Sequence, residues 1–364
     1  MNMIPLVRTN IPEREKLMPE LEKVLYSGYV AQGEQVELFE RAFEKFIGQG
    51  NSLSLNSGTA ALHIALILAG VRKGDEVIST ALTAEPTNVA IKMAGASIRY
   101  ADVDYQTGNI DPASIESSVN GSTKAIMIVD YAGIPVDVSS IQKISAKYDI
   151  PVIEDAAHAL GAKYNGLKTG CHFPLTVFSF QAIKHLTTID GGILQVQSRE
   201  KYEKGKLIRW FGIDKKLNRL ENNIQLQGYK YHMNNLNAVI GLVQLDGIER
   251  IINAHRENGR YFDDQLKNIP GVGLLRYYPG SEPSYWLYSM KVDNREGFIR
   301  KLAENGIMAS ELHKRSDHHE YLNDFRIQLP VLDRFYQKLV HLPCGWWLTP
   351  GDREKIVDTI KTGW

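Results

Sequence analysis

The sequence predicts an α/β fold, with a large domain on a mostly parallel central sheet and a smaller C-terminal α+β domain. Three observations carry that expectation. Short, continuously apolar runs alternate with helical patterns, the signature of a sheet covered on both faces. Asp130, Asp155 and the stretch from Ser179 to Lys184 follow directly after such runs, at the carboxyl strand ends where open sheets collect ligands. The pattern then changes after Gly228-Tyr229-Lys230-Tyr231-His232-Met233, which divides the chain into residues 1–235 and 236–364.

In chain order, residues from about Glu13 to Phe46 read as two amphipathic helices separated by Ser27-Gly28-Tyr29-Val30-Ala31-Gln32-Gly33. Ala60 to Leu68 is a mostly apolar helix that Gly70 ends, with Ser57-Gly58-Thr59 at its start. Glu76–Ser79, Ser97–Tyr100, Ala125–Val129 and Pro151–Ile153 read as strands, with helical stretches near Asn88–Met93 and Val138–Tyr148. Val177–Phe180 is a further buried strand. Leu236 to Leu266 reads as one long helix bridging the two domains. Tyr288–Val292 as a strand and Arg295–Asn305 as a helix belong to the smaller domain.

Composition narrows the function classes. Lysine plus arginine equals aspartate plus glutamate at 42 each, which argues against a dedicated nucleic-acid binder or a polybasic membrane anchor. Apolar residues are 43% of the chain, but no run approaches a membrane span, and the first eight residues lack the apolar core of a signal peptide. Cys171 and Cys344 stand far apart and in no metal-ligand spacing, so reduced thiols and a cytoplasmic location are expected. Glycine-rich dinucleotide loops, Walker loops and His-Glu-x-x-His helices are missing from the sequence.

Lys184 is the most informative residue. A lysine just past a buried strand sits at a sheet end, where a partly desolvated amine can lose its proton and form a Schiff base. Chemistry at an amine-bearing carbon with pyridoxal 5'-phosphate as electron sink needs such a lysine, a carboxylate for the ring nitrogen, a phosphate cup and a flat contact for the ring. Asp155, ending Pro151-Val152-Ile153-Glu154, suits the ring nitrogen, although an aspartate there also caps a helix. Ala157 leaves room for a ring, and His158 is placed for the cofactor's phenolic oxygen. Ser57, Gly58 and Thr59 open a helix, where free amides and the helix dipole favour a phosphate. Ser179 offers another hydroxyl to that phosphate.

The order and spacing of these pieces resemble the DegT/StrS-type family of nucleotide-sugar aminotransferases, which has the type I aspartate-aminotransferase fold. The resemblance runs from Ile4-Pro5-Leu6, through Ser27-Gly28 and Gln32-Gly33, to Leu342-Pro343. It is strongest at Glu154-Asp155-Ala156-Ala157-His158 and at Ser179-Phe180 through Lys184 to Asp190-Gly191-Gly192. By that resemblance Lys184 binds the cofactor covalently and shuttles a proton, and Asp155 holds the pyridinium. Glutamate donates the amine, pyridoxamine 5'-phosphate is the intermediate, and a keto group of a nucleotide-linked deoxysugar accepts. The resemblance also implies a homodimer with shared active sites, in which a Gly-x-Asn-x-Arg-Met segment reaches the neighbour's phosphate.

Here that segment places Lys230 at the usual asparagine and His232 at the usual arginine, so Lys230 is either a phosphate partner or a solvated lysine. The stretch Ser79 to Asn88 lacks the ring-stacking aromatic of many members, so Thr83 or Ala84 packs on the ring or stacking comes from elsewhere. Tyr131, Arg209-Trp210, His313-Lys314-Arg315 and Trp346-Trp347 are candidates for sugar or diphosphate contacts. Two other readings are weighed. A related dehydratase carries histidine in place of the covalent lysine, which Lys184 argues against and His185, one residue off, does not restore. A non-catalytic regulator keeping the fold is disfavoured by the retention of both Lys184 and Asp155.

Overall fold

The computed structural model describes residues 3–364; Met1 and Asn2, part of the opening segment read against a signal peptide, lie outside the described residues. Two amphipathic helices, α1 (Arg14–Leu25) and α2 (Glu34–Ile47), come first. The first strand, β1 (Asn51–Leu55), leads into α3 (Gly58–Leu68), which is apolar almost all round and buried, and which Gly70 terminates at φ +84°. The alternation expected from sequence follows, with one helix, α5, added to it: β2 (Glu76–Thr80), α4 (Glu85–Met93), β3 (Ser97–Ala101), α5 (Pro112–Ser118), β4 (Thr123–Val129), α6 (Val138–Tyr148) and β5 (Val152–Asp155). A short hairpin, β6 (Lys163–Tyr164) and β7 (Leu167–Lys168), precedes β8 (Leu175–Ser179), β9 (Gly192–Val196) and α7 (Arg199–Arg209).

These strands form a seven-stranded sheet in the order β1-β9-β8-β5-β4-β2-β3. From β8 to β3 every pairing is parallel, and the runs Ala125–Val129 and Val152–Asp155 are wholly buried, as a sheet covered on both faces requires. Two strands go beyond the alternation read from sequence. Wholly buried β9 runs antiparallel to both β8 and β1, and it sets Gly192 opposite both Ser179 and Leu55. That register brings the end of β8 beside the start of α3.

The single bridging helix expected over Leu236–Leu266 is instead two helices, α8 (Asn235–Asp246) and α9 (Ile248–Leu266), broken at Gly247. Gly247 has φ −104° and ψ 3°, and its amide turns to the Gln244 carbonyl at 3.2 Å instead of continuing the helical ladder. Glycine weakens a helix interior, and the break lets the two segments pack separately: α8 against α1 and α2, α9 against the smaller sheet.

That sheet consists of β10 (Val272–Leu274), β12 (Tyr288–Val292) and β13 (Leu339–Leu342), all antiparallel. A two-residue strand, β11 (Ser281–Glu282), joins the β6–β7 hairpin. Helices α10 (Arg295–Glu304), α11 (Pro330–Lys338) and α12 (Pro350–Lys361) complete the unit. Phe262, Phe298, Tyr288, Met290 and Ile356 form its core, and Ile4 enters it through a bridge to Ile307.

Candidate active site

Asp155 ends β5, 4% exposed, with both carboxylate oxygens engaged. Oδ2 accepts a proton from Thr87 Oγ1 at 2.7 Å, and Oδ1 accepts the Ala157 amide at 3.1 Å. The Thr87 hydroxyl also meets Thr83 Oγ1 at 2.7 Å, so the two threonines and Asp155 form one buried chain. Burial pushes the Asp155 carboxyl above its ordinary range, while the hydrogen bonds from Thr87 and Ala157 and the nearby Lys184 pull it back. Helix α4 begins at Glu85, earlier than the stretch read from sequence, and this places Thr87 in its first turn.

Behind Asp155, Asp130 and Glu154 are buried together. Desolvation first, and then the neighbouring carboxylates, push Asp130 up; desolvation also raises Glu154. Asp130 Oδ1 accepts the Val136 amide, while Oδ2 has no partner among the described residues.

Lys184 ends a tight turn in which its amide donates to the Gln181 carbonyl at 3.0 Å. The loop is closed at its base by Phe180 N–H on the Gly191 carbonyl (2.9 Å) and Thr188 N–H on the Phe180 carbonyl (3.0 Å). Part of Lys184 is open to the cavity, yet protein surrounds its amine closely enough for desolvation to lower it to about 7, against the pull of Asp155. The amine lies 3.9 Å from the centre of the Trp286 ring.

His158 is buried, and burial holds its imidazole neutral. Nδ1 accepts the Ala132 amide at 3.3 Å, which leaves the ring proton on Nε2 as a donor. The ring stacks on Trp286 with centroids 4.0 Å apart.

Ser57 caps α3, its hydroxyl accepting the Ala60 amide at 3.1 Å, and the Ala61 amide goes to the Ser57 carbonyl. The amides of Gly58 and Thr59, without intrahelical partners by position, remain at the cavity wall. Close approach makes this corner: a Cβ on Gly192 would come within 2.7 Å of the Gly58 nitrogen, and one on Gly58 within 3.1 Å of Ser179 Cβ. Glycines at both positions keep the cradle open beside the Ser179 hydroxyl.

The reactive groups meet in one cavity of about 380 Å³, behind which Asp130, Glu154, Trp286 and Gly192 lie outside the lining. Ser57, Gly58, Thr59, Thr83, Asp155, His158, Ser179 and Lys184 line it, with Ala157 and Ala84 among the remaining walls. A lysine amine, a buried carboxylate and a glycine-lined helix start around one such cavity fit pyridoxal 5'-phosphate. Sequence reasoning missed Thr87, Gln181 and Trp286; a threonine inside a helix and a tryptophan beside a strand give no local signal of what they face.

Other expectations are redirected. Lys230 is exposed and does not line this cavity; its carbonyl accepts from Asn56 Nδ2 at 3.3 Å. Arg209 is buried against Glu40 at 2.5 Å, and Arg315 is buried against Asp317 and Asp333, so neither is a free phosphate ligand within the chain. Tyr131 is buried with its hydroxyl on His341 Nε2, and Trp347 Nε1 donates to the Pro5 carbonyl. His313 does line the cavity, with a buried Nε2 that has no partner among the described residues. His185 is buried, its Nε2 on the Ser284 carbonyl at 3.2 Å, and it does not line the cavity.

Comparison with known proteins shows the family and the fold. The DegT/DnrJ/EryC1/StrS aminotransferase family matches over residues 12–361. Uncharacterized protein MJ1066 of Methanocaldococcus jannaschii is 32% identical, over 99% of this chain and 97% of its own length. The sugar aminotransferase CalS13 of Micromonospora echinospora is 37% identical and AtS13 of Actinomadura melliaura 40%, each with a TM-score of 0.96 over 100% of both chains. Spr1654 of Streptococcus pneumoniae in its PLP form superposes with a TM-score of 0.92 at 26% identity, over 99% of this chain and 98% of that one. Among the described residues no helix is long and apolar enough to cross a membrane.

Proposed function

The chain belongs to the DegT/DnrJ/EryC1/StrS aminotransferase family, and from that premise we propose that it moves an amino group from glutamate to a keto group of a nucleotide-linked deoxysugar, using pyridoxal 5'-phosphate. The observation that carries the reading is the convergence of Lys184, Asp155 and the start of α3 on one cavity. Bound there, the cofactor supplies an electron sink and a carbonyl that carries the amine from donor to acceptor.

The chain's own residues do the rest. Asp155, pinned by Thr87 and Ala157, would hold the positively charged ring nitrogen. His158 would donate from Nε2 to the phenolic oxygen, and Gly58, Thr59, Ser57 and Ser179 would hold the phosphate. Lys184 Nζ, with its pKa lowered to about 7 by desolvation, can take a proton from the donor's amine-bearing carbon and deliver one to the acceptor's keto carbon as that carbon gains the amine. Leu62, Val177 and Ile183 line the cavity with apolar surface that limits water.

Among the described lining residues Lys184 is the one lysine or arginine. The charge of a nucleotide diphosphate is therefore met from outside the chain's own cavity, which favours a homodimer with shared sites and Lys230 reaching the neighbour's phosphate. We place the domain division after Asn235, the first residue of α8, giving residues 1–235 and 236–364. A cytoplasmic location accords with Cys171 and Cys344 both being free thiols. His185, turned away from the cavity, gives the dehydratase reading no support.

Loading the protein with pyridoxal 5'-phosphate should produce a visible absorption band that borohydride abolishes and Lys184→Ala lacks. Glutamate should convert the band to that of the pyridoxamine form, and one of a panel of thymidine-, uridine- and guanosine-diphosphate keto-sugars should restore it. A band that persists in Lys184→Ala, or that glutamate leaves unchanged, would overturn the proposal.

A further inference from the structure

Two tethers hold the backbone on either side of Lys184, and both lead to the same three residues. Trp286 Nε1 donates to the Ile183 carbonyl at 2.9 Å, and His185 Nε2 bonds the Ser284 carbonyl at 3.2 Å. Between those anchors Tyr285 is buried in the left-handed region at φ +48°, a conformation a tyrosine keeps only when its surroundings impose it. His255 Nδ1 pins the Tyr285 carbonyl at 2.8 Å. The segment is also pressed onto Gly133, where a Cβ would come within 2.7 Å of Ser284 Oγ and 2.9 Å of the Trp286 nitrogen. Trp286 is thus immobilised, 1% exposed, with the Lys184 amine 3.9 Å from its ring centre.

We propose that Trp286 is a positioning residue for Lys184: its indole N–H fixes the backbone entering the lysine, and its ring face gives the amine a resting place whenever that amine is not covalently engaged. An ammonium over an indole face is stabilised by the ring quadrupole, most strongly in a desolvated setting. The ionisable groups that act on the amine are Asp155, which attracts it, and His158, His185 and His313, which burial keeps neutral; Glu85 and Asp190 also line the cavity. The proposal rests on the assignment of Lys184 as the covalent lysine.

The test is competitive acetylation of the full-length apoprotein across pH, with the Lys184 peptide quantified by mass spectrometry. Trp286→Leu, which removes both the ring face and the N–H, should lower the apparent pKa of the amine by about half a unit to one and a half units. Trp286→Phe, which keeps an aromatic face and most of the packing, should lower it less, and it decides the matter if the leucine variant does not fold. An unchanged or raised pKa in the folded variants overturns the proposal, because Trp286 would then act only as a dry wall. Borohydride tagging of loaded wild-type protein at a residue other than Lys184 would sink the functional reading instead, and the acetylation comparison would still report on Trp286.

Discussion

Thr87 donates its hydroxyl proton to Asp155 Oδ2 at 2.7 Å while its oxygen meets Thr83 at 2.7 Å, so the carboxylate at the end of β5 is oriented by the first turn of α4. A buried carboxylate needs such donors to stay ionised. Thr87→Val should weaken pyridoxal 5'-phosphate binding about tenfold, the worth of one charge-assisted hydrogen bond, and Thr87→Ser should retain it. Absorbance titration of the apoprotein measures this; equal affinities for Val and Ser would show that the hydroxyl is idle.

The lowered proton affinity of Lys184 has a stability consequence in the apoprotein. Its folded pKa of about 7 lies below the unfolded value near 10.5, so between these limits the unfolded state binds more protons and stability rises with pH. Below about pH 7 the buried ammonium costs its full amount. Lys184→Met should therefore raise Tm relative to wild type most at pH 6, with the difference shrinking toward pH 10. A difference that is flat across that range contradicts the desolvated amine.

Glu40 and Arg209 form a buried ion pair at 2.5 Å, and Glu40 also accepts the Ser54 amide at 2.9 Å. Removing one partner strands a charge. Arg209→Met should cost about 3–5 kcal/mol in urea unfolding, and Glu40→Met with Arg209→Met together should recover much of the loss. If the double variant is no better than the single, the pair is not the source of the cost.

Gly192 allows β9 to pass against the start of α3, and a Cβ there meets the Gly58 nitrogen and the Ser57 carbonyl group at 2.7 Å. Gly192→Ala should destabilise the protein by about 1–3 kcal/mol and reduce cofactor affinity more than Tm, because the displaced atoms are those at the proposed phosphate corner. Thermal unfolding and absorbance titration on the same sample separate the two effects. An alanine variant that binds cofactor normally would show that this corner does not hold the phosphate.

Most of the alternation from α3 to β5 is legible because its elements announce themselves locally, with apolar runs for buried strands, Gly70 as a helix stop and Ser57 as a cap; the short α5 carries no such pattern. The helix over Leu236–Leu266 was legible as helix but not as two, since a lone glycine is compatible with either until packing favours separate directions. β1 and β9 were missed because their antiparallel pairing depends on where the chain returns, which no short window reveals. Arg209 and Arg315 looked available for phosphate because an arginine's acidic partner can lie far away in the chain, as Glu40 does.

Lys184, Asp155, His158 and Ser57-Gly58-Thr59, which the structure brings to one cavity, can be nominated from sequence because residue type next to a strand end or helix start carries the signal. Tertiary structure alone decided what tunes them: Thr87 on Asp155, Trp286 beneath the Lys184 amine, and Gly192 against Gly58. Residue type and local spacing determine which groups can react. Proton affinity and orientation depend on burial and on neighbours distant in the chain, and those exist only once the chain has folded.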